Sequence, residues 1–450
     1  MNPNIFREYD IRGVAGEDIT ESDVELIGKA YGTFLKNRGK SSASVGRDCR
    51  KTSDLFADRF IKGLLSTGCS VVDIGVCPTP VLYFSIENMP VQAGAMITAS
   101  HNPPEYNGFK LMNGSDSIHG EGLQEIRTII DKGEFSKGGG SMDTADAMTP
   151  YKRFLTENIH IKGKVRIGID AGNGTGGTTA LPVLKDLGCE VHDLFCDMDG
   201  NFPNHEADPT VKKNLEELIK LVKAEKLDLG VGYDGDGDRI GVVDENGSVI
   251  YGDQLMIIYA REILQRKPGA VFISEVKCSM NMYNDIEQRG GRAVMWKTGH
   301  SLIKKKMKEE NAELAGEMSG HMFFKDRYFG YDDALYATLR LLEIITREKK
   351  SVSELIKDLP ETFTTPEIRM ECPDDRKFKV VKSITAHFQK EREVIDIDGM
   401  RALFDGGWGL VRASNTQPAL VLRFEAESRE KLEQIRTAVE SVLEEIIKES

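Results

Sequence analysis

Long apolar runs are missing from this 450-residue chain. Its longest fully apolar stretches, such as Leu255 to Ala260, are far too short to cross a bilayer, which takes about 20 such residues. An excess of positive charge is missing too. The 59 Lys and Arg face 72 Asp and Glu, a net charge of −13, which repels phosphate backbones and anionic headgroups. No nucleic acid and no membrane partner is expected, and an anionic small molecule would need a local cluster of basic residues. Cysteine is sparse and unpatterned. Cys49, Cys69, Cys77, Cys189, Cys196, Cys278 and Cys372 are an odd number, lie far apart and form no C-x-x-C pair, which excludes a disulfide framework and a zinc ribbon. Met1 to Asp10 (MNPNIFREYD) has no basic start leading into an apolar run, so a soluble cytoplasmic protein is expected.

A tripled pattern is present instead: a strand-like run, a polar or Gly-rich turn, an amphipathic stretch, a glycine and a second strand-like run. The first strands are Ser44 to Gly46, Val165 to Asp170 and Ala270 to Val276. The helices are near Asp54 to Ser66, Thr178 to Asp186 and Met280 to Gln288. The returns read TGCSVVDIG (Thr67 to Gly75), LGCEVHDLF (Leu187 to Phe195) and RGGRAVMWK (Arg289 to Lys297). Alternation of this kind predicts three α/β domains with mixed or parallel sheets. The C-terminal stretch differs: Leu410 to Ala413 and Leu420 to Glu425 are strand-like, and Leu432, Ile435, Val439, Val442, Leu443 and Ile446 mark one face of a helix from Arg429 to Lys448, an α+β ending. The Gly-rich Lys137 to Met142 and the Pro-bearing Leu359 to Pro366 are the expected linkers. The expected domains are therefore 1–150, 151–250, 251–365 and 366–450, around a central cleft of the kind where ligand pockets form.

Four loops carry chemistry. Thr98-Ala99-Ser100-His101-Asn102-Pro103 follows an apolar run and delivers a serine to a proline-stiffened loop, with Lys110 returning after an Asn-Gly turn. The serine needs a base, a metal or prior phosphorylation to act in group transfer. His101 is the adjacent candidate base, although consecutive side chains of an extended loop point to opposite sides. Asp234, Asp236 and Asp238 alternate with glycines between two strand-like runs, and three carboxylates so spaced converge on a hard cation such as Mg²⁺. An EF-hand is excluded, because its sixth position must be Gly and is Arg239. Arg239 and Lys110 are the natural counter-charges for a phosphate. Gly316 to His321 (GEMSGH) presents a carboxylate and a hydroxyl to sugar hydroxyls, and Arg412-Ala413-Ser414-Asn415-Thr416 suits a dianionic phosphate that binds without reacting.

Three further signals are set aside. Gly172 to Gly177 fits G-x-G-x-x-G, but the chain from Asp197 to Asn214 breaks into loop rather than continuing a dinucleotide-binding series, so these glycines are expected to let a helix pack tightly on its strand. Ser301 to Lys304 beside Lys297-Thr298-Gly299 mimics penicillin-binding signatures by coincidence. Lys304, Lys305, Lys306 and Lys308 read as a solvated helix face.

Taken together, T-A-S-H-N-P, D-G-D-G-D-R (Asp234 to Arg239), G-E-M-S-G-H and R-A-S-N-T, one per quarter of the chain, resemble the α-D-phosphohexomutase family, most closely its bacterial phosphomannomutase/phosphoglucomutase branch. The resemblance implies four domains, the first three sharing one topology, and an isomerase that moves a phosphoryl group between C1 and C6 of mannose and glucose phosphates through phosphoserine and a hexose 1,6-bisphosphate. It further implies Ser100 as the phosphoryl carrier, and Mg²⁺ held by Asp234, Asp236, Asp238 and a Ser100 phosphoryl oxygen. Arg12, Lys110 and Arg239 would lie around the reacting phosphate, with His101, His321 or Lys110 as proton-transfer candidates. Glu317 and Ser319 would hold sugar hydroxyls, and Lys277 and His300 would line the cleft. Arg412, Ser414, Asn415 and Thr416 would grip the other phosphate. Hexose 1,6-bisphosphate is the implied activator, small hexose phosphates the partners, and a monomer the expected state. Met318 points to the glucose/mannose type rather than a phosphoglucosamine mutase, while Ser279, Met280 and Asn281 stand where relatives often carry a basic residue. The remaining alternatives are a phosphosugar-binding protein without turnover and a phosphatase.

Overall fold

The computed structural model describes residues 1–415 and 417–449. Four sheets follow one another along the chain. In the first, Ser42–Arg47 lies between Ser70–Val76 and Ala93–Ile97, parallel to both, and Tyr106–Asn113 pairs antiparallel with Ala93–Ile97. The second repeats this order with Arg166–Asp170 between Glu190–Leu194 and Leu229–Tyr233, and Ile240–Asp244 antiparallel at the end. The third does so again with Val271–Glu275 between Arg292–Trp296 and Leu314–Gly316, and Met322–Phe324 antiparallel. The crossover helices Ser53–Leu65, Gly177–Asp186 and Met280–Gln288 stand where the tripled pattern placed them, and each returns its chain to a parallel neighbour. The fourth sheet is antiparallel, built on Met400–Phe404, Gly407–Ala413 and Ala419–Ala426. The helix Arg429–Glu449 packs on it through Leu432, Ile435, Val439 and Leu443.

The first three units are not beads on linkers. One hydrophobic core runs from Val81, Leu82 and Phe84 of the first, through Tyr151, Ile167 and Val231, to Leu255, Phe324 and Leu339 of the third. The first unit keeps a second core of its own that includes Ile11, Phe34, Phe60 and Phe109, the fourth sheet has one too, and Val276 of the third unit packs with Trp408 and Leu410 of the fourth. The shared core fuses three units into one body and leaves the fourth docked on it.

Both expected linkers are structured. In Lys137 to Met142, Gly138 and Gly140 lie so close to Gly68 and the Cys69 carbonyl that an added Cβ would sit 2.8 and 2.1 Å away. The segment leads into Met142–Thr144, an edge strand beside Ser70–Val76. Gly138 and Gly140 therefore serve close approach rather than flexibility. In Leu359 to Pro366, Phe363–Thr364 already pairs with Ala419–Ala426. No described helix is long and apolar enough to cross a membrane.

Candidate active site

The chemistry-bearing loops occupy one recurring place in the fold. In each of the first three sheets the loop joins the third strand of the repeat to the antiparallel fourth: Ser100 after Ala93–Ile97, Asp234 to Arg239 after Leu229–Tyr233, and Glu317 to His321 after Leu314–Gly316. Ser414 and Asn415 lie in the turn after Gly407–Ala413. The second and third loops are stitched by backbone bonds, with the Ile240 amide donating to the Gly320 carbonyl at 3.0 Å.

Ser100 is 2 % exposed and has a φ of 52°, a left-handed backbone that costs a non-glycine residue about 1–2 kcal/mol. The turn brings Ser100 Oγ within 2.6 Å of Asp234 Oδ2 and 3.1 Å of His101 Nδ1. The expectation that Ser100 and His101 face opposite sides is thus corrected, because the loop is not extended there. Burial first, then Arg239 and Arg12, hold His101 well below its ordinary pKa, which leaves a neutral imidazole. Arg12 reaches the same loop, Nη1 donating to Asn102 Oδ1 at 2.7 Å and Nη2 to Asp10 Oδ2 at 2.5 Å.

Asp234, Asp236 and Asp238 are fully buried, with one oxygen of each within 4.8 Å of the others. Lys110 Nζ donates to Asp236 Oδ2 at 2.7 Å and to Asp238 Oδ2, and Thr79 Oγ1 donates to Asp236 Oδ2 at 2.6 Å. Asp236 Oδ1 and Asp238 Oδ1 have no hydrogen-bond partner among the described residues. Orphaned buried carboxylate oxygens on a common focus fit a hard divalent cation. Burial and repulsion from Asp236 and Asp238 push Asp234 well above the usual carboxylate range. In Asp236 burial also acts upward, but the charge and hydrogen bond of Lys110 outweigh it and pull the group down. Lys110 is raised in turn, since the surrounding aspartates outweigh its burial.

The Gly172 to Gly177 loop does more than the expected helix packing, which Gly176 and Gly177 serve at the start of the helix Gly177–Asp186, where an added Cβ would lie 3.1 Å from Tyr233 and 2.6 Å from the Cys196 carbonyl. The Thr175 amide donates to the Gly235 carbonyl at 3.0 Å, and a Cβ on Gly174 would lie 2.6 Å from that oxygen. The loop seats the carboxylate turn from below, and only glycine permits the approach.

His321 joins this group from the third sheet. Its Nε2 accepts from Arg239 Nε at 3.1 Å, and its Nδ1 lies 3.0 Å from Asp332 Oδ2, an arrangement that assigns the ring proton to Nδ1. Lys304 Nζ holds Asp332 Oδ1 at 3.1 Å and touches the Tyr83 hydroxyl at 3.3 Å. Lys304 is 6 % exposed, so it does not belong to the solvated face expected of the lysine run; it is the buried counter-charge of Asp332. Asp238, His321 and Asp332 also bring ligand atoms within 4.8 Å, but Lys304 already neutralises that corner.

The remaining residues form the opposite wall. Glu317 Oε1 accepts from the Gly299 amide at 2.7 Å, and burial raises its pKa. Lys277 is buried, its Nζ 3.2 Å from Glu367 and 3.7 Å from Glu275. Arg412 Nε donates to Asp398 Oδ2 at 3.0 Å, and the Thr298 amide donates to the same oxygen at 3.0 Å. Ser414 Oγ accepts from the Gln417 amide at 3.2 Å. Asn415 Nδ2 donates to the Tyr9 hydroxyl at 2.6 Å, which donates to the Thr298 carbonyl at 2.7 Å. His300 links the two walls, its ring 5.5 Å from His321 and 6.0 Å from Tyr9. Ser319 is half-buried in the Glu317 to His321 loop, and Thr416 lies outside the described residues.

Sequence reasoning missed Tyr9, Glu275, Asp332 and Asp398, all of which hold candidate site groups. Glu275 is fully buried and accepts from the amides of Lys277 at 2.7 Å and Met318 at 3.2 Å, and from Thr298 Oγ1 at 3.0 Å. The one local signal was a charged residue ending an apolar strand; for Tyr9 it was its place within REYDIRG.

Comparison with known proteins adds an independent line. Residues 3–137, 148–247, 251–363 and 367–442 match, in order, the α/β/α domains I, II and III and the C-terminal domain of phosphoglucomutase/phosphomannomutase. The chain is 44% identical over 441 residues to the phosphomannomutase/phosphoglucomutase of Pseudomonas aeruginosa, covering 98% of this chain and 95% of that protein. It is 42% identical over 446 residues to the phosphoglucomutase of Neisseria gonorrhoeae, covering 98% and 97%. A crystal structure of a phosphoglucomutase/phosphomannomutase family protein from Burkholderia thailandensis superposes with a TM-score of 0.94 at 40% identity, covering 98% of this chain and 97% of that one.

Proposed function

Since this chain belongs to the phosphoglucomutase/phosphomannomutase family, we propose that its cleft performs reversible transfer of a phosphoryl group between C1 and C6 of glucose and mannose phosphates, with Ser100 as the carrier. The observation that carries this reading is the serine hydroxyl, buried in a left-handed turn and 2.6 Å from a carboxylate of another domain, beside three basic groups. That arrangement supports a reaction centre over an ordinary polar turn.

Ser100, once phosphorylated, donates its phosphoryl group to the free hydroxyl of a hexose phosphate. The bisphosphate turns end for end and returns the other phosphate to Ser100. Asp234, Asp236, Asp238 and a phosphoryl oxygen on Ser100 are the residues that would hold Mg²⁺. When bound, the cation would offset the negative charge that builds on the transferred group. Arg12 and Arg239 add positive charge around the same group, as does Lys110, which is held protonated by the aspartates and is a poor proton acceptor. His321 is the better placed acceptor of the sugar hydroxyl proton: its lone pair is on Nε2, where Arg239 Nε donates at 3.1 Å and would turn to the phosphate when substrate binds, with Asp332 steadying the ring. His101, neutral beside Ser100, orients that hydroxyl.

Glu317 and Ser319 are proposed to hold sugar hydroxyls in either orientation, with Lys277 and His300 lining the path of the turn. Arg412, Ser414, Asn415 and Thr416 would tether the phosphate that does not react, and hexose 1,6-bisphosphate would recharge Ser100 if it were lost. Small hexose phosphates are the partners and a monomer is the expected state.

The test is an assay of glucose, mannose and glucosamine 1-phosphates in parallel, with mass spectrometry of the Ser100 peptide before and after substrate. Conversion of glucose and mannose phosphates with a phosphoryl group that leaves Ser100 on substrate addition is expected. Preference for glucosamine phosphate would reassign the substrate, release of inorganic phosphate at the rate of sugar consumption would indicate a phosphatase, and binding without turnover would indicate a phosphosugar-binding protein.

A further inference from the structure

The reactive loop has a holder that none of the residues above supplies. Arg50 follows the strand Ser42–Arg47 in the sequence Gly46-Arg47-Asp48-Cys49-Arg50 and is 3 % exposed. Its guanidinium spends all its donor directions locally. Nη2 donates to the Ser100 carbonyl at 2.8 Å and the Asn102 carbonyl at 2.6 Å. Nη1 donates to the Pro103 carbonyl at 2.5 Å and the Tyr106 carbonyl at 3.1 Å, and Nε donates to Asp48 Oδ2 at 3.1 Å. Four carbonyls of one loop on one rigid fork is a geometry that a lysine ammonium, with three donors on a flexible stem, does not reproduce.

Asp48 fixes the fork in turn. Its Oδ1 accepts from the Arg50 amide at 3.0 Å and from Ser53 Oγ at 2.5 Å, so the side chain is tied to the first turn of the crossover helix. The domain carrying the three aspartates also closes on it: the Phe202 ring lies 4.9 Å from the guanidinium carbon. Arg50 touches no candidate substrate group. It bonds the carbonyl of the very residue whose backbone is left-handed.

We infer that Arg50 is a positioning residue that holds Ser100 in its left-handed turn and so aims Oγ at the Asp234 corner. The kinetic part of this inference rests on the proposed mutase activity; the geometric part does not. Release of the loop displaces the reacting oxygen while the groups on the opposite wall, which bind the sugar and the second phosphate, stay in place. A displacement of about 1 Å at a reacting atom costs on the order of 10²-fold in rate.

The experiment compares wild type with Arg50→Lys and Asp48→Asn, measuring kcat and KM for glucose 1-phosphate and solving the variant structures. In Arg50→Lys a fall in kcat of on the order of 10²-fold is expected with KM within about threefold of wild type, since only the interaction with the transition state is lost. Asp48→Asn should shift kcat in the same direction by less. In the Arg50→Lys structure Ser100 should leave the left-handed region and its Oγ should lose Asp234. Full kcat in folded Arg50→Lys, or a rise in KM that accounts for the loss, would overturn the inference, as would an unmoved Ser100. If Arg50→Lys does not fold, the same readings on Asp48→Asn decide. If wild type itself shows no interconversion, the mutase reading fails, and the two variant structures still decide the position of Ser100.

Discussion

Ser100 Oγ and Asp234 Oδ2, 134 residues apart in sequence, share a 2.6 Å hydrogen bond between two domains. The serine hydroxyl is thereby delivered to the carboxylate focus before any ligand arrives. Ser100→Ala should abolish interconversion of hexose 1- and 6-phosphates, by on the order of 10⁶-fold as for removal of other covalent nucleophiles. A coupled assay reads the rate, and mass spectrometry should find no phosphoryl group on the variant.

Lys110 is both a counter-charge and a competitor. Its ammonium bonds Oδ2 of Asp236 and of Asp238, on the same carboxylates whose Oδ1 atoms are left for a divalent cation. Two unit charges about 4 Å apart interact by ~4 kcal/mol at an effective dielectric constant near 20. Lys110→Met should therefore bind Mg²⁺ at least about tenfold more tightly by titration calorimetry, yet lose about 10²–10³-fold in kcat because transition-state charge goes unmatched.

Asp333 gives the fold a pH dependence of known sign. It accepts from Tyr151 and Tyr328 hydroxyls at 2.8 and 2.6 Å and from the Tyr336 amide at 2.8 Å, yet burial raises its pKa to about 6. The folded state then binds a proton that the unfolded chain releases near pH 4, so this contribution to stability is complete below about pH 4 and is lost as pH rises through about 6. Melting temperatures of wild type and Asp333→Asn, compared from about pH 4 to 7, should show this slope in wild type alone.

Arg340 is fully buried, 2.8 Å from Glu262 and 2.9 Å from Asp326, both nearly as buried. Arg340→Met removes one partner from each of two carboxylates that keep Arg266, and should cost about 1–3 kcal/mol by denaturant unfolding. Since none of the three faces the cleft loops, KM of the folded variant should not change.

The fourth domain has its own core and meets the first near the cleft through Asn415 and Tyr9. Ligand held by Arg412, Ser414 and Asn415 should draw this domain inward. X-ray scattering with and without glucose 1,6-bisphosphate should show a smaller radius of gyration in its presence; superimposable profiles would count against the movement.

Much of the architecture was legible because it repeats. The helix Met280–Gln288 was readable from periodicity alone, and the D-G-D-G-D-R turn announced its carboxylates by spacing. What was illegible depends on contacts between distant segments. The three glycines of Lys137 to Met142 look like a tether until Gly68 is seen against Gly138 and Cys69 against Gly140. Lys304 looks solvated in a run of lysines until Asp332, 28 residues on, is placed beside it. His101 was assigned to the wrong side of Ser100 because a left-handed serine has no signature in composition. Glu275 and Asp398 are single acids whose partners, Met318, Thr298 and Arg412 among them, come from distant segments, and no spacing rule foretells that.

The Gly174 contact with Gly235 has a practical corollary. The carboxylate turn rests on bare backbone from its own domain, where a Cβ on Gly174 would lie 2.6 Å from the Gly235 carbonyl, while the serine it serves arrives from a neighbour that shares the same hydrophobic core. A side chain at Gly174 would lift the turn away from that serine, so activity should fade in such a variant while circular dichroism still reports an intact protein. Engineering this enzyme would accordingly call for leaving that backbone contact untouched.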